Sequence, residues 1–447
     1  MPAESRPQPA SPADSAATPA GRRDFLKTGA ATMSAAALAG TFPARPGLHA
    51  AGDDTLRVGL VGCGGRGSGA ARQALSADKY TRLVAVADTF RSQIDSSLAA
   101  LKNDDEIADR VVVDEEMKFI GLDAYQQVID NVDVVLLATP PGFRPVHLRA
   151  AVEANKHIFT EKPMATDAPG VRSVVETVAM AKERNLAICA GFCWRYHNEL
   201  RELFARIHDG AIGNVLAAYG TYLTGPVKPM PPADTRPAGI SDLEWQVRNW
   251  YNFTWLGGDG LVEQAVHTVD WLAWVMQDEP PESCTAVGGR QIAAHGGNIY
   301  DHIEVNYLWA DGVRGFLAQR QINGCYNENG LYVIGDNGIA QIKPGGSASI
   351  KGENAWRYRG PSNNMYQTEH DEFFLSIRDG KPINNGDRMW NSTLMAIMGR
   401  MAGYTGQQVT WDQAYNSTET LVPEITSGWD TEPLPQAMAQ PGTTPLV

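Results

Sequence analysis

The chain has 447 residues, 43% hydrophobic and 20% charged, an ordinary soluble composition long enough for two full cores, which excludes the disordered and fibrous classes. A formal charge of -13 lacks the cationic surface that nucleic acids and anionic membranes require, and leaves a neutral or cationic small molecule, or a neutral sugar, as the easier partner. Five cysteines, Cys63, Cys189, Cys193, Cys284 and Cys325, are too sparse and odd in number for a disulfide framework, and are expected as small buried or half-buried side chains.

Residues 1–50 stand apart. A stretch rich in Pro, Ala and Ser precedes Arg22-Arg23-Asp24-Phe25-Leu26-Lys27, and an uncharged, Ala-rich run from Thr28 to Ala44 follows. This resembles a twin-arginine (Tat) export signal, with Gly21 where Ser or Thr is usual. The resemblance implies export of a folded chain by the Tat machinery to the periplasm or exterior. The apolar run is short for a membrane span, so none is expected after processing, with Leu48-His49-Ala50 the candidate cleavage site.

From Leu56 onward, strand and helix text alternate. LRVGLVG reads as a buried strand leading into a glycine turn and a helix to Ala77, and LVAVAD as a strand ending at Asp88. VDVVLLATP, a helix over 144–154, HIFTEKP, a helix over 168–184 and LAICAGF continue the series. This predicts a doubly wound parallel sheet over 55–193, with ligands at the carboxyl ends of its strands.

After Arg195 the pattern changes. A helix over 199–209 precedes VLAAYGTYL, and a long loop rich in Pro, Gly and Trp covers 225–256. IEVNYLWADGVRGFLAQR and LYVIGDNGIAQI alternate apolar and polar residues around Asp-Gly and Asn-Gly turns, which is hairpin text. Residues 194–411 are therefore expected as an open, mainly antiparallel sheet domain with few helices, and 412–447 as an extension whose last twenty residues are loosely ordered.

Gly62-Cys63-Gly64-Gly65-Arg66-Gly67 fits the dinucleotide fingerprint G-x-G-x-x-G, placed after a strand and opening a helix. Asp88 follows Gly67 by 21 residues, where an acid accepts hydrogen bonds from the adenosine ribose. Gly62, Gly64, Gly65, Arg66, Gly67 and Asp88 are thus candidate cofactor residues. Asp88 repels a 2'-phosphate and favours NAD, although Arg91 stands near enough in sequence to offset this for NADP.

GDGLVEQAVHTVDW, Gly258 to Trp271, spaces Glu263, His267 and Asp270 by four and three on one helix face. Such a face suits catalysis or a satisfied core. A metal is not expected, because a helix zinc pair presents two histidines four apart and only His267 is present.

With ATPP at Ala138 to Pro141 and EKP at Glu161 to Pro163, the chain from Leu56 to about Trp411 resembles the Gfo/Idh/MocA family of oxidoreductases. The resemblance implies that Thr139, Pro140, Glu161 and Lys162 lie along the cofactor and that Lys162 contacts the hydroxyl that loses hydrogen. The helix then supplies an acid and a histidine four apart, Glu263 and His267, with Glu263 where relatives usually carry Asp. A homo-oligomer, dimer or tetramer, paired through the open sheet is also implied. Oxidising a secondary alcohol sends hydride to the nicotinamide and a proton to a base, a task His267 suits near neutral pH while Lys162 stabilises the alkoxide.

Arg195, Tyr196 and His197 fall where relatives bring side chains from the domain junction into the site, and with Asp270, Tyr300 and His302 they are the substrate candidates. Asp301 and Arg320 are weaker ones, and Trp245, Trp250 and Trp255 have the character of sugar-stacking platforms. An exported enzyme meets no free NAD pool, so the cofactor is expected to be tightly held and regenerated in place. Three functions fit: oxidation and re-reduction of a secondary hydroxyl of a sugar or glycoside; NAD-dependent glycoside cleavage by transient C3 oxidation, elimination, hydration and re-reduction, with Tyr196 or His197 as the C2 base; or noncatalytic sugar binding with structural NAD.

Overall fold

A computed structural model describes residues 54–425, 428–432 and 437–447. The Arg22-Arg23 pattern and the whole export segment lie outside the described residues.

Six strands form a parallel sheet: β1 (Leu56–Val61), β2 (Thr81–Asp88), β3 (Lys118–Ile120), β4 (Val134–Leu137), β5 (His157–Thr160) and β6 (Ile188–Ala190). Their order is β3-β2-β1-β4-β5-β6, which reverses direction between β1 and β4 and opens a crevice at the carboxyl ends there. Runs such as VVLL in β4 and HIFT in β5 are buried at every position, as a sheet covered on both faces requires. The covering helices are α1 (Gly65–Ala77), α2 (Arg91–Lys102), α3 (Ala124–Asn131), α4 (Arg144–Glu153) and α5 (Ala168–Glu183). Asp167 caps α5 by accepting from the Gly170 N–H at 2.8 Å.

After α6 (Asn198–His208) comes a nine-stranded sheet built on β7 (Val215–Thr224), β8 (Ser283–Gly289), β9 (His302–Leu308), β10 (Arg314–Gln321), β11 (Glu328–Gly335), β12 (Gly338–Ile342), β13 (Ala348–Gly352), β14 (Trp356–Arg357) and β15 (Val409–Thr410). β9 and β10, and β11 and β12, form the two hairpins read from the sequence. The sheet is mainly antiparallel, with one parallel pair, β7 beside β10. Strand β10 alternates exposed or half-buried residues with fully buried ones from Arg314 to Gln321, so one face meets the core.

The segment 225–256 is less loop-like than expected. Ser241 caps α7 (Asp242–Arg248), accepting from the Glu244 N–H at 3.1 Å, and α8 (Thr254–Gly257) follows. The next stretch is two short helices, α9 (Gly260–Glu263) and α10 (Val266–Val275), not one.

Two long helices depart from the expectation of few. α11 (Met365–Arg378) returns to the parallel sheet, where Phe373, Phe374 and Ile377 share an apolar cluster with Leu56 and Val58 of β1 and Ala70 of α1. α12 (Gly386–Thr405) is buried along most of its length and packs on β8 and α5. A helix buried all round shows no amphipathic stripe, which is why its sequence is silent. The final residues are also better held than expected: Tyr300 Oη donates to the Ala439 carbonyl at 2.7 Å, and the Gly442 N–H to the Thr405 carbonyl at 2.9 Å. Of the cysteines, Cys325 is exposed, at a turn after β10, and the other four are buried. Among the described residues no helix is long and apolar enough to cross a membrane.

Candidate active site

The carboxyl ends of β1, β2, β4 and β5 open into a cleft of about 980 Å³ that residues of the long segment after β7 wall on the other side. Its floor is the glycine turn. Gly62 has φ +95°, and a side chain on Gly67 would lie 1.9 Å from the Gly62 carbonyl oxygen, so both positions require glycine. Gly64 and Gly65 have open space where side chains would stand. Helix α1 starts there with no side-chain cap and no acid in its first turn, leaving free N–H groups and a positive end toward the cleft. These features fit the pyrophosphate of a dinucleotide.

Asp88 closes β2 beside this turn and accepts from the N–H groups of Cys63 at 2.8 Å and Phe90 at 2.9 Å. Burial raises its carboxyl above the ordinary value, and the two N–H bonds oppose that shift. Arg91 does not line the cleft. Its guanidinium is on the surface, paired with Asp95 at 3.0 Å and Glu115 at 2.5 Å.

The ATPP and EKP turns are tied together by Arg144. This fully buried guanidinium donates to the carbonyls of Thr139 and Pro163, and burial lowers it to about 10. Thr139 Oγ1 lies 3.2 Å from His147 Nδ1, and burial, then the Arg144 charge, press His147 down to about 3, so its ring is neutral. Thr139, Pro140, Glu161 and Lys162 all line the cleft.

Lys162 is the centre of the polar end. Its Nζ donates to the main-chain carbonyl of Glu263 and, at 3.1 Å, to Glu263 Oε1. The break between α9 and α10 makes this possible. The His267 N–H bonds the Gln264 carbonyl at 3.2 Å, three residues back, which leaves the Glu263 carbonyl to the lysine. Glu263 Oε2 accepts from Gln264 Nε2 at 2.7 Å, and Gln264 Oε1 from Tyr222 Oη at 2.6 Å, so the acid is gripped on both oxygens.

His267 lines the same cleft, with Phe192 edge-on at 6.4 Å and a buried Nδ1 that has no hydrogen-bond partner among the described residues. Burial first, then the charges of Lys162 and Arg66, hold it well below the usual imidazole value. The ring is therefore neutral and able to take a proton. Arg66 donates to Glu161, and at 3.2 Å to Glu369 of α11. Burial and repulsion from Glu161 hold Glu369 well above the usual carboxyl range.

The structure brings together the glycine turn, Asp88, Thr139, Pro140, Glu161, Lys162, Glu263 and His267. It takes the substrate candidates elsewhere. Arg195 is 4% exposed and forms a two-pronged pair with Asp270, at 2.8 and 2.9 Å, that Asp278 and Ser392 complete. Their polar atoms thus hold the domain junction, and neither lines the cleft. Tyr196 is buried with its Oη accepting from Asn385 Nδ2 at 2.7 Å, and His197 packs on Trp194. Tyr300 is bound to Ala439, as above, and His302 Nδ1 lies 2.7 Å from Asp301. Of the three tryptophans, Trp250 lines the cleft, Trp255 is fully buried, and Trp245 is outside it. Arg320 is likewise outside, donating to the Tyr326 carbonyl.

Sequence reasoning missed Gln264, Tyr251, Lys228, Arg248 and Tyr366, which also line the cleft. Only Gln264, beside Glu263, carried a signal, since the others come from the long segment and from α11.

Compared with known proteins, residues 56–192 match the Gfo/Idh/MocA description "Oxidoreductase family, NAD-binding Rossmann fold", and residues 200–341 match "GFO/IDH/MocA C-terminal domain". An inositol 2-dehydrogenase of Acidothermus cellulolyticus is 27% identical over 253 residues, 57% of this chain and 62% of that one. A glycosyl hydrolase family 109 protein of Shewanella sp. is 28% identical over 219 residues, 45% of this chain and 46% of that one. The chain thus spans less than two thirds of the length of either relative. The aldose-aldose oxidoreductase of Caulobacter crescentus, solved with glycerol, shares the fold with a TM-score of 0.62 at 18% identity, covering 80% of this chain and 99% of that one.

Proposed function

The chain belongs to the Gfo/Idh/MocA family of NAD-binding oxidoreductases, and from that premise we propose that it oxidises and re-reduces a secondary hydroxyl of a sugar or glycoside with a tightly held NAD(H). The observation that carries the proposal is the convergence of Lys162, Glu263 and His267 on one cleft with the glycine turn and Asp88. When bound, the nicotinamide supplies hydride transfer at its C4. The substrate hydroxyl lies against Lys162 Nζ, whose charge stabilises the alkoxide as it forms. His267 takes the hydroxyl proton on its ring nitrogen and returns it when the ketone is reduced. Glu263 positions Lys162 rather than the imidazole, because both its carbonyl and its carboxylate oxygen are on the ammonium.

The twin-arginine pattern supports export to the periplasm or exterior with cofactor loaded beforehand, and the two sheets support an NAD-binding domain over 55–193, to which α11 returns, followed by a substrate and oligomerisation domain over 194–411; a homo-oligomer paired through the open sheet belongs to the same proposal.

A second function has support of its own. The likeness to a glycosyl hydrolase family 109 protein fits redox-assisted glycoside cleavage, in which oxidation at C3 acidifies the neighbouring C–H, the glycosidic group is eliminated, and hydration and re-reduction restore the cofactor. Tyr196 and His197 do not line the cleft, and are withdrawn as the C2 base. Noncatalytic sugar binding is disfavoured by the paired Lys162 and the unpartnered His267 Nδ1.

The test uses purified, folded protein with no added cofactor. Sugars and aryl glycosides are supplied while the reduced-nicotinamide absorbance and aglycone release are followed. Absorbance change with free sugars and no aglycone release supports the oxidoreductase, and aglycone release without net absorbance change supports the glycosidase. Neither signal, with nucleotide present, supports noncatalytic binding.

A further inference from the structure

Two segments from outside the parallel-sheet domain converge on the adenosine edge of its cleft. Phe90 stands two residues after Asp88 and lines the cleft. The Arg248 guanidinium lies 4.2 Å from its ring centroid, and Trp429 stacks on it at 5.8 Å with 17° between the planes. Arg248 ends α7 and is oriented by Glu244, whose Oε1 accepts from it at 2.8 and 2.5 Å. The Lys228 Nζ donates to the Arg248 carbonyl at 2.9 Å, so two cations of this segment face a cleft whose opposite wall is the uncapped end of α1.

The segment is held down from behind. Leu243 and Val247 of α7 sit in an apolar cluster with Trp255 and Leu256, and against it pack Phe90, Leu421, Val422 and Trp429. Leu421 and Val422 belong to a run, residues 417–425, that is anchored at three points, and Trp429 belongs to the described residues 428–432. Arg172 donates to the Ser417 carbonyl at 3.0 Å, the buried Arg400 to Glu419 Oε2 at 2.7 Å, and the Leu421 N–H to Asp167 Oδ2 at 2.8 Å. Asp167 also caps α5, which carries Arg172, so two of the three anchors fasten residues 417–421 to the parallel-sheet domain.

We propose that the C-terminal residues 417–425 and 428–432 act as a strap that locks α7 across the adenosine half of the dinucleotide, with Arg248 as the group α7 presents to it, and that the strap slows cofactor release. This rests on the proposal of a retained NAD(H) above. A dinucleotide leaves only when α7 lifts, and α7 lifts only when the Phe90 contacts with Arg248 and Trp429 part. The ligand class is one carrying adenosine diphosphate, since Asp88 and the glycine turn define that half of the cleft.

The test uses the full-length chain. Protein loaded with NADH is mixed with excess NAD, and the fall in bound NADH fluorescence gives the dissociation rate. Trp429→Ala and Arg248→Ala are expected to release NADH about ten-fold faster than the parent, the effect of losing one partly desolvated cation–aromatic or aromatic contact. Arg248→Lys should recover part of the loss, whereas a change of fold alone would not distinguish the two residues at that position. Tyr326→Ala, at an exposed turn far along the chain, serves as control and should match the parent. Rates within two-fold of the parent for both Trp429→Ala and Arg248→Ala overturn the strap, and if Trp429→Ala does not fold, the Arg248 pair decides alone. Purified parent that yields no nucleotide on denaturation overturns cofactor retention, while the strap is still judged on added NADH. A parent that binds no added NADH overturns both.

Discussion

Lys162 takes from Glu263 the main-chain carbonyl that a regular helix would give to His267, and the carboxylate of the same residue as well. The longer acid is thus explained by geometry. At the break between α9 and α10 the side chain reaches back to the lysine that its own carbonyl already holds, and Gln264 and Tyr222 fix its far oxygen.

Glu263→Asp shortens that reach by one methylene while the carbonyl contact stays. Turnover should fall roughly ten-fold with little change in KM, because misplacing a catalytic group by about an ångström costs up to two orders of magnitude. Glu263→Gln should be worse, since the buried ammonium then loses its counter-charge. Steady-state kinetics on the sugar that responds in the cofactor assay measure both.

His267→Asn should lower kcat/KM by about 10²- to 10⁴-fold, the range for removing a general base. In the parent, burial and the charges of Lys162 and Arg66 depress the imidazole, so its neutral form persists below the ordinary pKa. The acid limb of the rate profile should therefore lie below pH ~6.5. A limb at or above that value would show a different group.

Asp88 should discriminate against NADP, because Arg91 is committed to Asp95 and Glu115 on the outer surface. Asp88→Ser should narrow the NAD preference by about ten-fold, ~1.4 kcal/mol. Titration of both cofactors by fluorescence checks this without turnover.

Arg195→Met should destabilise the fold by about 3–5 kcal/mol, since it strands Asp270, 1% exposed, as an unpaired buried charge. Affinity for the sugar should be unchanged, because neither residue lines the cleft. Chemical denaturation and substrate titration of the same variant separate the two effects.

Stability should decline as pH falls below about 6.5. His147 and His370 are both lowered to about 3 by burial, so between 6.5 and that value the unfolded chain binds protons the folded one refuses. Each contributes up to about 1.4 kcal/mol per pH unit in this window. His370→Gln should flatten the slope of melting temperature between pH 6.5 and 4. Glu369 acts in the opposite sense. Its raised carboxyl makes folding less favourable as pH climbs past the usual glutamate range, so Glu369→Gln should stabilise the protein at neutral pH.

The parallel sheet was legible because its strands are continuous apolar runs punctuated by glycine, and the nucleotide cradle because Gly62 and Gly67 admit no other residue. Lys162, Glu263 and His267 were legible through short motifs. The wall of the cleft opposite the glycine turn was not. Lys228, Arg248 and Trp250 come from a segment whose Pro, Gly and Trp content reads as loop, and Tyr366 from a helix separated from the cleft by some 100 residues of chain. Arg195 and Tyr196 misled for the opposite reason: charged and aromatic residues at a domain junction look functional, but at this junction their polar atoms are consumed by Asp270, Asp278 and Asn385, while His197 packs on Trp194.

The return of α11 to the parallel sheet also sets an order of events during synthesis. Phe373, Phe374 and Ile377 complete a cluster begun by Leu56 and Val58 more than 300 residues earlier. The nucleotide-binding half therefore cannot close its outer layer until the ribosome has released residue 378. A fragment cut after residue 193 is expected to expose the bare flank of α1 and to aggregate, and capture of the dinucleotide is expected to be a late step, made by a nearly finished polypeptide rather than a nascent one.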